Sequence, residues 1–234
     1  MDAHSTYAPG YIQTVVRVFD ERPEVVAVGG AMTSIGEGAW GGAIASVLSR
    51  PIGMGGARHR VGGAGGPVDD AFSPAYRRSA LLAAGGFDER FLANEDFELD
   101  ARLRAGGGIV WLEPAARSTW RVREPPGALA RQMFRYGSYK ARTLLVHPES
   151  LRLRQLAPTG LIVWWAATAV RDRRLAGVLG GLYVLAAGGA GATEAHTDGT
   201  SPWRAAAAVP IVHLFWGAGL LSGPILHRAA RADS

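Results

Sequence analysis

Apolar positions Tyr11, Val15, Val18 and Phe19 recur at helical spacing after Pro9, and Pro23 closes the helix they predict. The run 25–28 is apolar and mostly β-branched and ends in Gly29-Gly30, which predicts a short buried strand. Residues 40–48 predict a second helix. The glycine-rich stretch 53–66, which carries Arg58, His59 and Arg60, predicts a mobile loop. Residues 78–84 read as a helix stopped by Gly85-Gly86. Asn94 suits the N-cap of a helix that runs through Phe97, Leu99 and Leu103 to Gly106-Gly107. Residues 109–112 predict a strand bounded by Pro114, and 118–123 a further extended segment before Pro125-Pro126. In 127–146, Leu129, Met133, Tyr136 and Lys140 keep helical spacing. Short strands alternating with helices predict an α/β layer fold over residues 1–150.

From residue 151 the pattern changes. Three apolar stretches follow, at 156–170, 175–193 and 205–226. The first has 15 residues, short for a span, and the other two are long enough to cross a bilayer. Arg171, Arg173 and Arg174 separate the first two stretches, and His227, Arg228 and Arg231 follow the third. The loop between the second and third carries Glu194 and Asp198 but no Arg or Lys. With both basic clusters cytoplasmic, the second and third stretches span and the first, Trp164-Trp165 included, lies along the interface. Three spans would place Arg171, Arg173 and Arg174 outside, and ordinary buried helices are the remaining alternative. The region 151–234 is therefore expected to be a membrane region, and His213 within it a packed or interfacial side chain rather than a relay.

Composition narrows the chemistry. The 234 residues carry a formal net charge of +5, almost all of it from arginine, since Lys140 is the only lysine. That balance attracts phosphate in some form. The arginines are spread without interleaved aromatics, which argues against nucleic acid. The absence of cysteine excludes disulfides and thiolate metal sites. Met1-Asp2-Ala3-His4 has no apolar run behind it and does not read as a signal peptide.

Four stretches carry candidate chemistry. Asp2 and His4, two apart on an extended segment, point the same way and suit a divalent ion bridging diphosphate oxygens, although a solvated terminus looks the same. Asn94-Glu95-Asp96 sits at a helix start after Gly86-Phe87-Asp88-Glu89. A carboxylate there can take a proton from a substrate hydroxyl, or simply complement the helix dipole. Gln132, Arg135 and Tyr136 share one helical face and can grip a pyranose and a phosphate, or form the polar side of an amphipathic helix. The Arg58–Arg60 loop can close over a phosphate, but it matches neither G-x-x-x-x-G-K-[ST] nor G-x-G-x-x-G.

The ordered series D-A-H, V-G-G, G-G-F-D-E-R-F, N-E-D, R-L-R-A-G-G, W-L-E-P and R-Q-M-F-R-Y-G, over about residues 1–146, resembles family-two glycosyltransferases. It is most similar to the membrane-associated bacterial members that build exopolysaccharides. The resemblance implies a GT-A (Rossmann-like) α/β fold, here a partial one, with a mixed sheet, flanking helices and C-terminal transmembrane helices. It implies that Asp2 and His4 match the metal-binding D-x-D motif in a D-x-H form, holding Mg2+ or Mn2+. Asp96 matches the catalytic base of the E-D motif, with Glu95 beside it. Gln132, Arg135 and Tyr136 match Q-x-x-R-W, with Tyr for Trp, so the indole N–H is lost. Asp69 or Asp70, the latter preferred, corresponds to the acidic residue before the acceptor loop, where Ser73-Pro74 departs from the family's Gly-Ala pair.

The implied activity is inverting hexosyl transfer from a nucleotide-diphospho-sugar donor to a polysaccharide or lipid-linked acceptor. The implied location is the inner membrane, multi-pass, with a cytoplasmic catalytic domain. In the family a nucleotide-binding half precedes the D-x-D motif. Here the chain starts one residue before it, so either the start is internal or the protein is truncated. The alternatives are an inactive remnant that needs a partner for the missing half, or a membrane transport or scaffold protein.

Overall fold

The structure is a computed structural model that describes residues 5–197 and 200–232. In chain order the elements are β1 (Ser5–Tyr7), α1 (Tyr11–Glu21), β2 (Val25–Ile35), α2 (Gly38–Leu48), α3 (Pro51–Met54), α4 (Arg58–Val61), β3 (Gly66–Pro67), β4 (Ala75–Tyr76), α5 (Arg78–Ala83), α6 (Glu95–Ala105), β5 (Ile109–Arg121), α7 (Pro126–Val146), α8 (Leu156–Arg171), α9 (Arg173–Thr197) and α10 (Pro202–Ala232). They form two compact units, Met1–Ile35 with Gly56–Arg121, and Gly36–Gly55 with Val122–Ser234.

The first unit is a mixed sheet with flanking helices, the α/β architecture expected from the sequence. Its strand order is β1-β5-β2-β4, with β3 also paired to β5. The central pair β2/β5 is parallel, while β1, β3 and β4 attach antiparallel. The register of β2 against β5 jumps from Gly30↔Glu113 to Ala31↔Arg117, so Pro114, Ala115 and Ala116 bulge out of β5. Pro114 therefore does not end the strand. A proline is tolerated where the ladder is already interrupted. The two short extended segments expected around it are one strand.

The bulge explains Gly29-Gly30. A Cβ on Gly30 would collide with the Ala116 carbonyl, and one on Gly29 would lie 2.5 Å from the Ala71 Cβ. Both faces of β2 are occupied there by backbone, which only glycine admits. On one face of the sheet Tyr11, Val15 and Val18 of α1 pack with Val25, Val28 and Ala116. On the other, Ala27, Val110 and Ala71 form a second cluster flanked by Val68 and Tyr76. The helical spacing read from α1 thus reports its buried stripe.

The glycine-rich stretch expected as a mobile loop contains the helical turn α4. The Arg58 guanidinium donates to the Ala64 carbonyl and, at 3.0 Å, to the Pro67 carbonyl, which ties the turn to β3.

In the second unit α10 crosses α7 closely. A Cβ on Gly137 would collide with the Trp216 carbonyl and one on Gly219 with the Phe134 carbonyl, and one on Gly223 would lie 2.5 Å from the Ala141 Cβ. Gly219 and Gly223 form a small-x-x-x-small stripe that lets the two backbones touch. Within α7, Lys140 is buried and donates to the carbonyl and hydroxyl of Ser150 at 3.1 and 3.2 Å. His213 on α10 donates through Nε2 to the Ile52 carbonyl at 2.6 Å, which leaves Nδ1 to accept from the Tyr183 hydroxyl at 2.9 Å. With both ring nitrogens engaged, it is the packed side chain expected.

Arg173–Thr193 and Pro202–His227 are long and apolar enough to cross a bilayer. Only 22% and 39% of these windows are buried within the protein, unlike core helices of a soluble domain. Helix α8 buries none of its residues, and Trp164 and Trp165 are half exposed.

Candidate active site

In the first unit the start of α6 carries the sequence-expected carboxylates. Asn94 occupies the N-cap position with φ 59°, and no side-chain cap bond forms, contrary to the expected capping role. Asparagine is instead one of the few residues that tolerate this left-handed backbone. Its carbonyl accepts from the Glu98 amide at 3.0 Å, which opens the helix. Glu95 is exposed and Asp96 half-buried, with the Phe97 amide donating to Asp96 Oδ1 at 2.7 Å.

Burial raises the Asp96 pKa to about 7, with the Glu95 charge and then the Asp70 charge adding to the rise and the Phe97 amide opposing it. Asp70 is therefore in electrostatic reach of Asp96, so two of the residues expected from sequence share one neighbourhood.

That neighbourhood also contains residues the sequence reading passed over. Asp100, one helical turn after Asp96, has no exposed surface. Its Oδ2 accepts from the Ala71 amide at 3.0 Å and its Oδ1 from the Tyr76 hydroxyl at 3.1 Å. Burial pushes its carboxyl well above the usual range; the Ala71 amide opposes this, and the charges of Asp96 and Asp70 add to it. Burial chiefly, and then Asp100, also push the Tyr76 hydroxyl up. The available signal was spacing: a carboxylate four residues after Asp96 lies on the same helix face.

Two further supports define the cluster. His59 of α4 approaches Asp70 with Nδ1 3.8 Å from Oδ2 and stacks on Phe72. Burial, with Arg60 next to it, lowers the His59 pKa to about 3, so the imidazole is neutral and the contact is not an ion pair. Arg104 Nη1 lies 3.8 Å from Asp69. On the far side of α6, Arg102 forks onto the buried Glu98 with two 2.7 Å bonds and donates to the carbonyls of Ala84 and Gly86. This fixes the glycine turn before the G-G-F-D-E-R-F segment, where Asp88 pairs with Arg90 at 2.6 Å. Among the described residues, the non-glycine residues with positive φ are Ser73, three residues after Asp70, and Asn94, two before Asp96. Backbone strain of this kind gathers at functional sites. The Ser73 hydroxyl meets the Tyr7 hydroxyl of β1 at 2.9 Å.

In the second unit α7 carries Gln132, Arg135 and Tyr136. Gln132 is buried and its amide donates to the Tyr136 hydroxyl at 3.0 Å, while its Oε1 is buried without a hydrogen-bond partner among the described residues. Arg135 is exposed. The i, i+4 pairing of Gln132 with Tyr136 follows from helical spacing. Gly137 places the α10 crossing directly beside this pair.

Asp2 and His4 lie outside the described residues. Ser5–Tyr7, which follow them in sequence, pair with Trp120–Ser118 of β5. Among the described residues no group of three His, Asp or Glu side chains is arranged to hold a metal ion.

No family model matches the chain. It is, however, 31% identical over 228 residues to the succinoglycan biosynthesis protein ExoA of Rhizobium meliloti (strain 1021), an alignment that covers 94% of this chain and 67% of that protein. At that coverage the alignment extends through both units. The chain belongs to the same glycosyltransferase family as ExoA and to exopolysaccharide biosynthesis.

Proposed function

We propose that this chain is an inverting glycosyltransferase of the hexosyl type. In this reading it moves a sugar from a nucleotide-diphospho-sugar to a polysaccharide or lipid-linked acceptor, with Asp96 as the general base. The observation that carries the reading is the environment of Asp96: a half-buried carboxylate at a helix start, flanked by Glu95 and Asp70, with its pKa at about 7. A base of that strength is matched to proton removal near neutral pH.

The acceptor hydroxyl attacks the anomeric carbon from the face opposite the diphosphate. The new C–O bond forms as the bond to the diphosphate oxygen breaks, the hydroxyl proton passes to Asp96, and the nucleoside diphosphate leaves with the bonding pair. Inversion at the anomeric carbon follows. Asp70 and Glu95 would orient acceptor hydroxyls by accepting their hydrogen bonds. Gln132, Arg135 and Tyr136 would hold the acceptor and diphosphate end, with Arg135 supplying charge and the Gln132 Oε1 an acceptor that has no hydrogen bond among the described residues. The carboxylate of Asp2 and the imidazole of His4 are donors suited to Mg2+ or Mn2+, which when bound supplies positive charge to the leaving diphosphate. Helices α9 and α10 would span the inner membrane with α8 along its surface, the catalytic part cytoplasmic, keeping the site close to a membrane-bound acceptor.

The test uses the full chain in lipid nanodiscs with a panel of nucleotide-diphospho-hexoses and Mg2+ or Mn2+, following nucleoside diphosphate release and the product anomer. Asp96→Asn should lower turnover by about 10^2–10^4-fold. Turnover retained by a folded Asp96→Asn protein overturns the base assignment.

A further inference from the structure

The proposed reaction makes no use of Asp100, yet this is the most enclosed ionisable side chain in the first unit, with 0% exposure. The segment it touches is constrained from two sides. Ala71 and Phe72 press on β2 at Gly29, where a Cβ would meet the Ala71 Cβ at 2.5 Å and the Phe72 carbonyl at 3.0 Å. From the helix side Asp100 receives the Ala71 amide at 3.0 Å and the Tyr76 hydroxyl at 3.1 Å. One carboxyl thus ties the loop segment after Asp70, the edge strand β4 and helix α6 together, one turn from Asp96.

We propose that Asp100 is a positioning residue of the site: it bridges the Ala71 amide and the Tyr76 hydroxyl, holds the Asp70 segment beside the start of α6, and works as a hydrogen-bonding acid group rather than as a charge. Its catalytic consequence rests on the transferase reading above; its structural part does not.

The groups that face Asp100 decide its state. Asp96 on its own helix and Asp70 on the preceding segment are acids and repel a further negative charge, while the neutral Tyr76 and the Ala71 amide are the hydrogen-bonding neighbours. Glu95 acts on Tyr76 from the same side. Of the two cations on this helix, Arg102 forks onto Glu98 and Arg104 lies against Asp69. A charge enclosed among acids is costly, so the proton stays on the carboxyl. In that state Oδ2 accepts from the Ala71 amide, and Oδ1 and the Tyr76 oxygen are joined by one O–H···O bond for which either hydroxyl can be the donor. Asparagine has the same shape and offers an acceptor to the amide and a donor to the tyrosine oxygen. Leucine has the volume and neither group.

The experiment compares Asp100→Asn, Asp100→Leu and Tyr76→Phe in the full chain in nanodiscs. The readouts are the pH profile of transfer, the acceptor KM, and the Asp96 titration midpoint from carboxyl-labelled NMR. Asp100→Asn should keep kcat/KM within about threefold of the parent, and the Asp96 midpoint within about 0.3 pH units, a twofold change in proton affinity. Asp100→Leu should lower kcat/KM by about tenfold or more, mainly through acceptor KM. Tyr76→Phe, which deletes one oxygen and keeps the ring, should lose about three- to tenfold. It decides the matter if Asp100→Leu does not fold.

An Asp100→Asn protein that loses as much as Asp100→Leu, or whose Asp96 midpoint falls by about one pH unit, shows that Asp100 acts as a charge and overturns the proposal. Tyr76→Phe indistinguishable from the parent removes the bridge. If the parent chain transfers no sugar, the transferase reading fails, while the Asp96 midpoint and Ala71 amide protection in the three variants still judge the role of Asp100.

Discussion

Asp96→Asn separates two consequences of one buried carboxylate, because asparagine mimics the protonated acid. The folded protein holds the Asp96 proton up to about pH 7, whereas the ordinary value is 3.8. Between those values the folded state binds more protons than the unfolded chain, so stability falls as pH rises. From pH 5 to pH 8 the unfolded carboxylate ionises almost freely and the folded one only above pH 7. At about 1.36 kcal/mol per pH unit the difference comes to about 2–3 kcal/mol lost at the higher pH. Asp96→Asn removes that term, so the variant should gain about 2–3 kcal/mol on the parent at pH 8 relative to pH 5. For a chain of this length that is an apparent Tm difference of about 4–10 °C. The assay is chemical and thermal unfolding of both proteins at matched detergent, salt and lipid across pH 5–8. All other groups are common to both proteins and cancel to first order in the comparison. Parallel curves for parent and variant would refute the assignment of a raised proton affinity to Asp96, and with it the observation on which the base role stands. A gain in stability with loss of transfer is the pairing expected of a group that is strained for function.

Two further perturbations probe the scaffold. Gly219→Val places a branched side chain against the Phe134 carbonyl, where even a Cβ collides, and should cost about 1–3 kcal/mol of stability and raise amide exchange along α7. Unchanged exchange would mean that α10 does not brace that helix. Arg102→Ala removes the forked ion pair from the Glu98 carboxylate, which is 2% exposed, and should cost about 3–5 kcal/mol by urea unfolding. Adding Glu98→Gln should recover part of that loss, and no recovery would place the effect in the Ala84 and Gly86 carbonyl contacts instead.

Helices α1, α6 and α7 were legible because their buried stripes repeat with the helical period and glycine or proline punctuates their ends. The long apolar helices were legible from composition, although α9 and α10 run past their apolar windows into polar ends. The central strand β5 was not, because Pro114 reads locally as a stop, and only the partner strand shows that it sits in a bulge. Local signals placed Asn94 at the N-cap, where its backbone rather than its side chain answers the demand of the helix start.

The candidate site divides in the same way. Asp96, Asp70 and the Gln132–Tyr136 pair were reachable from motif and spacing. Asp100 and Tyr76 were not, since a lone carboxylate in a helix reads as solvated until its neighbours are known. The need for glycine at positions 30, 137 and 219 is set by carbonyls of Ala116, Trp216 and Phe134, each 79 residues or more away in the chain.

The enclosure of Lys140 has a practical side. It is the only side-chain amine in the protein, and in the folded state it is spent on Ser150. Amine-directed reagents such as succinimidyl esters therefore find no accessible lysine on the native surface. Acylation at position 140, read by mass spectrometry, becomes a clock for the opening of the α7 region, and lysine-directed immobilisation or tagging has no target until that region opens.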